Sequence, residues 1–201
     1  MFPPYKRMYF VFCSLPLQID IMKVLAICGS LRRKSSNLGL VKYAASNAPA
    51  DMQIIIADLS DVPLYNQDLV EPPTSVKTLM SQCGEADALL LACPEYNYSI
   101  APALKNAIDW LSRAPNNALL AGKPVAIMGA GGEMGTSRAQ YHLRQVCVYV
   151  DLHPLNKPEV FCNAFAGTFD ADSNLIDPST QESIRNQLVA LQDMKRKLSS
   201  S

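Results

Sequence analysis

The chain has 201 residues, 49% hydrophobic and 18% charged, with 18 basic side chains balanced by 18 acidic ones. That length suits one domain with a full hydrophobic core. A formal net charge of zero gives no basic field for nucleic acid and none of the strong acidity of a carrier that docks on basic partners.

Residues 1–21 stand apart. They are aromatic and apolar, carry Lys6 and Arg7, and hold no acid before Asp20. The apolar part is too short for a membrane span, and Pro16 interrupts it. An organelle-targeting segment is one reading, although the Ser- and Arg-rich pattern of a transit peptide is weak. A start codon upstream of the true one is the other, since Met22 immediately precedes the first strand pattern. The fold is therefore expected over 22–201.

From Lys23 onward, apolar runs alternate with amphipathic segments. A buried strand is predicted over 23–29. A helix follows over 37–47, capped at Asn37, with Leu38, Val41 and Ala45 on one face. A second strand spans 53–58, and a polar, Pro-rich loop covers 59–73. The next helix, 75–86, turns Val76, Leu79, Met80 and Cys83 inward. Strands over 88–93 and 124–129 flank a helix over 102–111. A long helix covers 137–150, a fifth strand 159–165, and a closing helix 179–198. Short continuous apolar strands between helices imply a parallel sheet covered on both faces, a three-layer α/β sandwich.

Ligands in such sheets bind beyond the carboxyl ends of the strands, at the switch point. Three loops lie there. The first is Gly29-Ser30-Leu31-Arg32-Arg33-Lys34-Ser35-Ser36-Asn37. A helix N-terminus offers unpaired N–H groups and partial positive charge. Hydroxyls can donate, and Arg32 can fork onto an oxyanion. Together these could hold a phosphate. An ordinary capped strand–loop–helix with basic surface residues is the plain alternative. The second loop, Pro94-Glu95-Tyr96-Asn97-Tyr98-Ser99, could offer amides and an aromatic wall to a flat ring, or could be a polar turn with packed tyrosines. The third, Gly131-Gly132-Glu133-Met134-Gly135-Thr136, lets a ring approach backbone, or is a simple strand–helix connection.

Rival motifs fail. No second Gly precedes Asn37, so neither a P-loop nor a G-x-G-x-x-G turn follows the first strand. Gly129, Gly131 and Gly132 come closer, but no acid ends a following strand in the right place. A small phosphatase would put its nucleophile at Cys28, but the residue six positions on is Lys34, not Arg. The six cysteines, Cys13, Cys28, Cys83, Cys93, Cys147 and Cys162, form no C-x-x-C pair. No metal site is expected. Cys28 and Cys93 sit in apolar runs, which fits a reducing, cytoplasmic compartment. His142 is expected in a packing or interface role, and His153 as a surface or end-of-helix cation.

Set side by side, these blocks resemble the NADPH-dependent FMN reductase family, and within it the plant-type NAD(P)H:quinone oxidoreductases and bacterial chromate/quinone reductases. The blocks are Gly29 to Arg32 with Ser35 and Asn37, then Pro94 to Ser99, then Leu104-Lys105-Asn106-Ala107-Ile108-Asp109-Trp110. Gln140-Tyr141-His142-Leu143-Arg144-Gln145 and Asn156-Lys157-Pro158-Glu159 complete the pattern. The resemblance implies a flavodoxin-like fold with a five-stranded parallel sheet of order 2-1-3-4-5. It implies non-covalent FMN, with Ser30, Arg32, Ser35, Asn37 and Leu38 at the phosphate. Pro94, Glu95, Tyr96 and Asn97 would line the isoalloxazine ring, and Gly129, Ala130, Gly131 and Gly132 would cover its other side.

The resemblance also implies a homodimer or homotetramer that reduces a quinone with NADPH or NADH. A ping-pong cycle is expected, the flavin carrying the hydride and no protein side chain acting as catalyst. A reductase that releases reduced FMN, or a non-enzymatic flavin carrier or redox sensor, are the alternatives. Two departures stand out. Relatives often have Pro-Gly where this chain has Ala101-Pro102, and hydroxyl residues where it has Gly129 and Ala130. The second implies a lost side-chain hydrogen bond to the flavin.

Overall fold

The structure, a computed structural model, describes residues 21–200. The extension expected over 1–21 lies outside them except for Ile21. The first strand, β1 (Met22–Cys28), explains the layering. Side chains alternate across a strand, and here both sides are apolar. Leu25 and Ile27 join one core, while Val24, Ala26 and Cys28 join the other.

β1 pairs in parallel with β2 (Met52–Ile56) on one side and β3 (Ala88–Ala92) on the other. β3 pairs in turn with β6 (Pro124–Gly131). Between them in sequence lies a two-stranded antiparallel hairpin, β4 (Glu95–Tyr96) and β5 (Ser99–Ile100). The far edge of β6 carries two short parallel strands, β7 (His153–Pro154) and β8 (Val160–Asn163). The expected 2-1-3-4-5 order therefore holds, with the fifth place shared by two segments.

Helices α1 (Ser36–Ser46) and α5 (Pro178–Ser199) cover one face through Leu40, Val41, Ile184 and Leu188. Helices α2 (Thr74–Glu85), α3 (Pro102–Leu111) and α4 (Ser137–Tyr149) cover the other through Leu79, Leu104, Ile108 and Leu143. Among the described residues no helix is long and apolar enough to cross a membrane.

The sequence expectations need four corrections. The α1 cap is Ser35, whose Oγ accepts from the Leu38 N–H at 3.2 Å; Asn37 lies inside the first turn. Leu38 and Ala45 are only half-buried, and the buried face runs through Asn37, Gly39, Leu40, Val41 and Ala44. The loop at 94–99 is a hairpin with strands too short to show a period of two. His153 belongs to β7 rather than a helix end.

The split fifth strand leaves the Ile127 carbonyl between the two edge segments. Gln187 of α5 fills that gap, its Nε2 donating to Ile127 O and Pro158 O at 3.0 Å each. A side chain here replaces a ladder bond, as a buried carbonyl requires.

Gly39 marks a second tight place. A Cβ there would lie 2.1 Å from the Ser173 carbonyl oxygen, so the segment after β8 rests directly on α1.

Candidate functional site

The three expected loops meet at the carboxyl ends of β1, β3 and β6, and specific contacts join them. The first follows β1, whose ladder continues through the Gly29 N–H to Ala92 O at 2.9 Å. A Cβ at Gly29 would stand 2.9 Å from Pro94 Cδ and from Leu104 Cβ, so the first two loops are in contact. Ser30 is half-buried, Arg32 and Arg33 are exposed, and Ser35 is buried. Lys34 turns away, donating to Asp172 Oδ1 at 2.9 Å and Ala171 O at 3.0 Å. Among the described residues neither Arg32 nor Arg33 has a hydrogen bond or ion pair, although Arg33 follows Arg32 directly. Ser35 uses a lone pair as the cap, and its side chain also bonds the Cys28 thiol. The Ser36 and Asn37 amides have no intrahelical acceptor.

Asn37 is buried, and its side chain faces β6. Its Nδ2 donates to Ala130 O at 2.8 Å, and its Oδ1 accepts from the Ala130 N–H at 3.0 Å. The carboxamide thus pairs with the peptide as a neighbouring strand would. This locks the first turn of α1 to the start of the third loop. Its side chain is committed to the protein, so an anion in this loop would meet the Asn37 backbone amide.

The second loop is held from the opposite side. Pro94 is buried, and the Glu95 side chain is only 8% exposed. Glu95 Oε2 accepts from the Arg138 and Ala139 N–H groups at 3.2 Å each, and Oε1 from Arg138 Nε at 2.6 Å. A carboxylate from the hairpin therefore caps α4, where Thr136 makes no side-chain cap bond. Arg138 also stacks on the Tyr98 ring, its Cζ 3.7 Å from the centroid. Asn97 and Tyr98 have φ of 50° and 66°. Positive φ at both central residues defines a type I′ hairpin turn, which suits Asn and strains Tyr. The guanidinium stack and the Glu95 anchor hold Tyr98 in that conformation. The turn leaves Tyr96 and Tyr98 on the surface and Asn97 at the tip.

The third loop turns tightly at Gly132–Gly135. Gly132 is exposed, with nothing within 4 Å of a Cβ position, so one side is open. Gly129 is the reverse case. A Cβ there would lie 1.9 Å from Thr136 Oγ1 and 2.6 Å from Cys93 O. The space a side chain at position 129 would need is filled by the buried Thr136, whose Oγ1 accepts from Gln140 Nε2 at 3.1 Å.

The structure brings Ser30, Arg32 and Leu38 to one cleft and joins Asn37 to Ala130. It turns the Glu95 carboxylate toward α4. Thr136, Arg138 and Gln140 were not foreseen as parts of this framework. Arg138 finds its partner 43 positions away at Glu95, and Gln140 joins Thr136 one turn back to the Val160 carbonyl 20 positions on. His142 meets the hairpin, with Nδ1 3.2 Å from Ser99 Oγ.

Burial pushes the Cys28 thiol above its ordinary range, opposed more weakly by hydrogen bonds to Ser30 and Ser35. A phosphatase nucleophile needs the opposite shift. The protein should therefore leave p-nitrophenyl phosphate intact, at a background rate that Cys28→Ala does not change. Hydrolysis abolished by that substitution would revive the phosphatase reading.

Comparison with known proteins agrees with this geometry. The model of the family described as NADPH-dependent FMN reductase matches residues 22–167. An NAD(P)H-dependent FMN reductase of Pseudomonas aeruginosa is 50% identical over 182 residues, covering 89% of this chain and 98% of the relative. An NAD(P)H:quinone oxidoreductase of Solanum tuberosum is 46% identical, covering 89% and 95%. Among solved structures, the flavoenzyme NAD(P)H:(acceptor) oxidoreductase FerB of Paracoccus denitrificans superposes with a TM-score of 0.80 at 31% identity, covering 88% of this chain and 98% of that one. With the flavodoxin-like sheet and its three joined loops in place, the chain belongs to the NADPH-dependent FMN reductase family.

Proposed function

We propose that the protein is an FMN-dependent NAD(P)H:quinone oxidoreductase. The observation that carries this reading is a phosphate-ready α1 N-terminus locked by Asn37 to a glycine loop at the switch point. The donor set fits a phosphate ester: hydroxyls, amides and a guanidinium all donate. Among the described residues no His, Cys and acid cluster could hold a metal ion. Ser30, Arg32, Ser35 and the Ser36 and Asn37 amides would hold the phosphate, with Leu38 beside it. Pro94, Tyr96 and Asn97 would line the ring, and Glu95 would fix their loop. The Gly129–Gly132 segment would approach the ring through its backbone.

The chemistry that FMN supplies when bound is two-electron transfer from NADPH or NADH to a quinone. The chain's own work is to bind, orient and leave one side open at Gly132. Donor and acceptor would then use the same open side in turn, which is a ping-pong order.

The decisive experiment is the visible spectrum of the purified protein, followed by anaerobic NADPH. A flavin band that bleaches, then returns on adding a quinone, is the expected result. A protein that stays colourless after incubation with FMN would overturn the reading. Loss of the flavin on reduction would favour the FMN reductase alternative. A flavin band that ignores both nicotinamides would favour a carrier or sensor.

We also propose a homodimer or homotetramer built on the outer face of α4. Tyr141, Val148 and Tyr149 are 67%, 80% and 84% exposed there, a cluster beyond scattered surface apolars. Val148→Glu should lower the mass measured by light scattering; an unchanged mass would place the contact elsewhere. The five described cysteines are free and buried, which supports a reducing, cytoplasmic location.

A further inference from the structure

Two exposed leucines, Leu31 and Leu64, line one cleft of about 190 Å³ between the first loop, the segment after β2 and the start of α3. They are 60% and 78% exposed, and Leu59, Val62 and Pro102 complete the apolar lining.

Leu64 is held in that exposed position from both sides. The carbonyl of Pro63, just before it, accepts from Asn106 Nδ2 and from Trp110 Nε1 at 2.8 Å each. The Tyr65 N–H, just after it, donates to Asn106 Oδ1 at 2.8 Å. The Tyr65 ring packs edge-on against Trp110, with centroids 5.0 Å apart, and Arg113 Cζ lies 5.5 Å from the Tyr65 centroid. Asn106 and Trp110 stand one turn apart on α3, so one face of that helix grips both neighbours of Leu64. Ordering a loop costs conformational entropy. Here the ordering fixes a large apolar side chain in water, where only an apolar partner repays it. The Asn106–Trp110 block, which the flavin contacts leave unused, thereby acquires a task.

The lining limits what that partner is. Among the described residues no charged side chain lines the cleft, so a phosphate would find no cation there. The volume lies below the range of small-molecule sites, about 300–1,000 Å³, so the cleft suits part of a ligand rather than a whole one. The rest of that ligand has a path to the flavin crevice. Leu31 sits between Ser30 and Arg32, and Pro102 opens the helix that follows the ring-lining hairpin.

We propose that this cleft takes the hydrocarbon side chain of an alkyl- or prenyl-substituted quinone, whose ring reaches the flavin. Leu31 and Leu64 select for that side chain, and Asn106 and Trp110 are positioning residues that act through Leu64. The inference rests on the quinone-reducing reading above and narrows its substrate class.

The test compares two quinones with one head group, a dimethoxymethylbenzoquinone and its decyl derivative, reduced by the FMN-loaded protein with NADPH. The wild type should show a KM at least about tenfold lower for the decyl quinone, the scale of burying two methylene groups. Leu64→Ser should erase that ratio while FMN content stays at the wild-type level. Asn106→Ala should shrink it by raising the KM of the decyl quinone, with kcat kept. Trp110 is the single tryptophan, so quenching of its fluorescence by each quinone reads binding without turnover. Equal KM values in the wild type, or a ratio that survives Leu64→Ser, would overturn the proposal. Loss of FMN from Leu64→Ser would also overturn it, by giving the cleft to the flavin. An equal loss of kcat for both quinones in Asn106→Ala would overturn the positioning role. A protein that reduces neither quinone would sink the quinone-reducing reading, while the Trp110 titration would still decide the cleft.

Discussion

Arg32→Ala is expected to weaken FMN binding by about tenfold to a hundredfold without weakening the fold. The first figure follows from the value of hydrogen bonds to charged groups, about 1.5–3 kcal/mol. The second follows from position. Arg32 is exposed and, among the described residues, holds nothing in place, so truncating it should move stability by no more than about 0.5 kcal/mol. Lys34→Ala provides the contrast. Lys34 carries the same charge two residues away, but its ammonium sits on exposed Asp172. Losing that surface pair should cost at most about 1 kcal/mol and leave flavin affinity unchanged. Fluorescence-quench titration with FMN, paired with thermal melts of the flavin-free proteins, separates the two effects. Wild-type affinity in Arg32→Ala would move the phosphate off this loop.

Most of the architecture is legible in the chain because its strands are short, continuous and apolar. β1, β3 and β6 need no partner to be recognised, and α3 begins at Pro102 as a first-turn proline should. What escaped lies where tertiary contacts replace local pattern. The hairpin strands have two residues each, and only Asn97 hints at a left-handed turn. The edge of the sheet breaks in two, and Gln187, 60 residues from Ile127, supplies the missing bond.

The site divides along the same line. Ser30, Arg32 and Ser35 could be named from loop chemistry alone. The framework that aims them could not. Glu95 reads as a polar loop residue until Arg138 appears 43 positions on, and Thr136 reads as a loop residue until it fills the space beside Gly129. An Asn near a helix start reads as a cap, and Ser35 held that place instead. Asn suits both a cap and a buried clamp, and the partner that decides between them lies on β6.

Asn37→Ala is the substitution with the largest expected effect on the fold. It removes two hydrogen bonds and leaves both the N–H and the carbonyl of buried Ala130 without partners. A lost bond costs about 1 kcal/mol, and an orphaned buried group about 1–3 kcal/mol. A total near 3–4 kcal/mol should lower the melting temperature by about 6–15 °C in a domain of this size. The damage should also reach the ligand, since the first and third loops are no longer tied. Flavin affinity should fall although Arg32 and Ser35 remain.

Asn37→Asp sharpens the test. Aspartate can still accept from the Ala130 N–H, but it meets the Ala130 carbonyl with a second acceptor. Only the protonated carboxyl can donate there, so folding raises its pKa. The repaired contact is therefore present in acid, below the unfolded value near 3.9, and is lost as the pH rises through the raised folded value. Melting temperatures of Asn37→Asp should approach the wild type at low pH and diverge toward neutrality. A gap that stays constant with pH would mean that the side chain at position 37 does not donate to Ala130, and that the two loops are held together by other contacts.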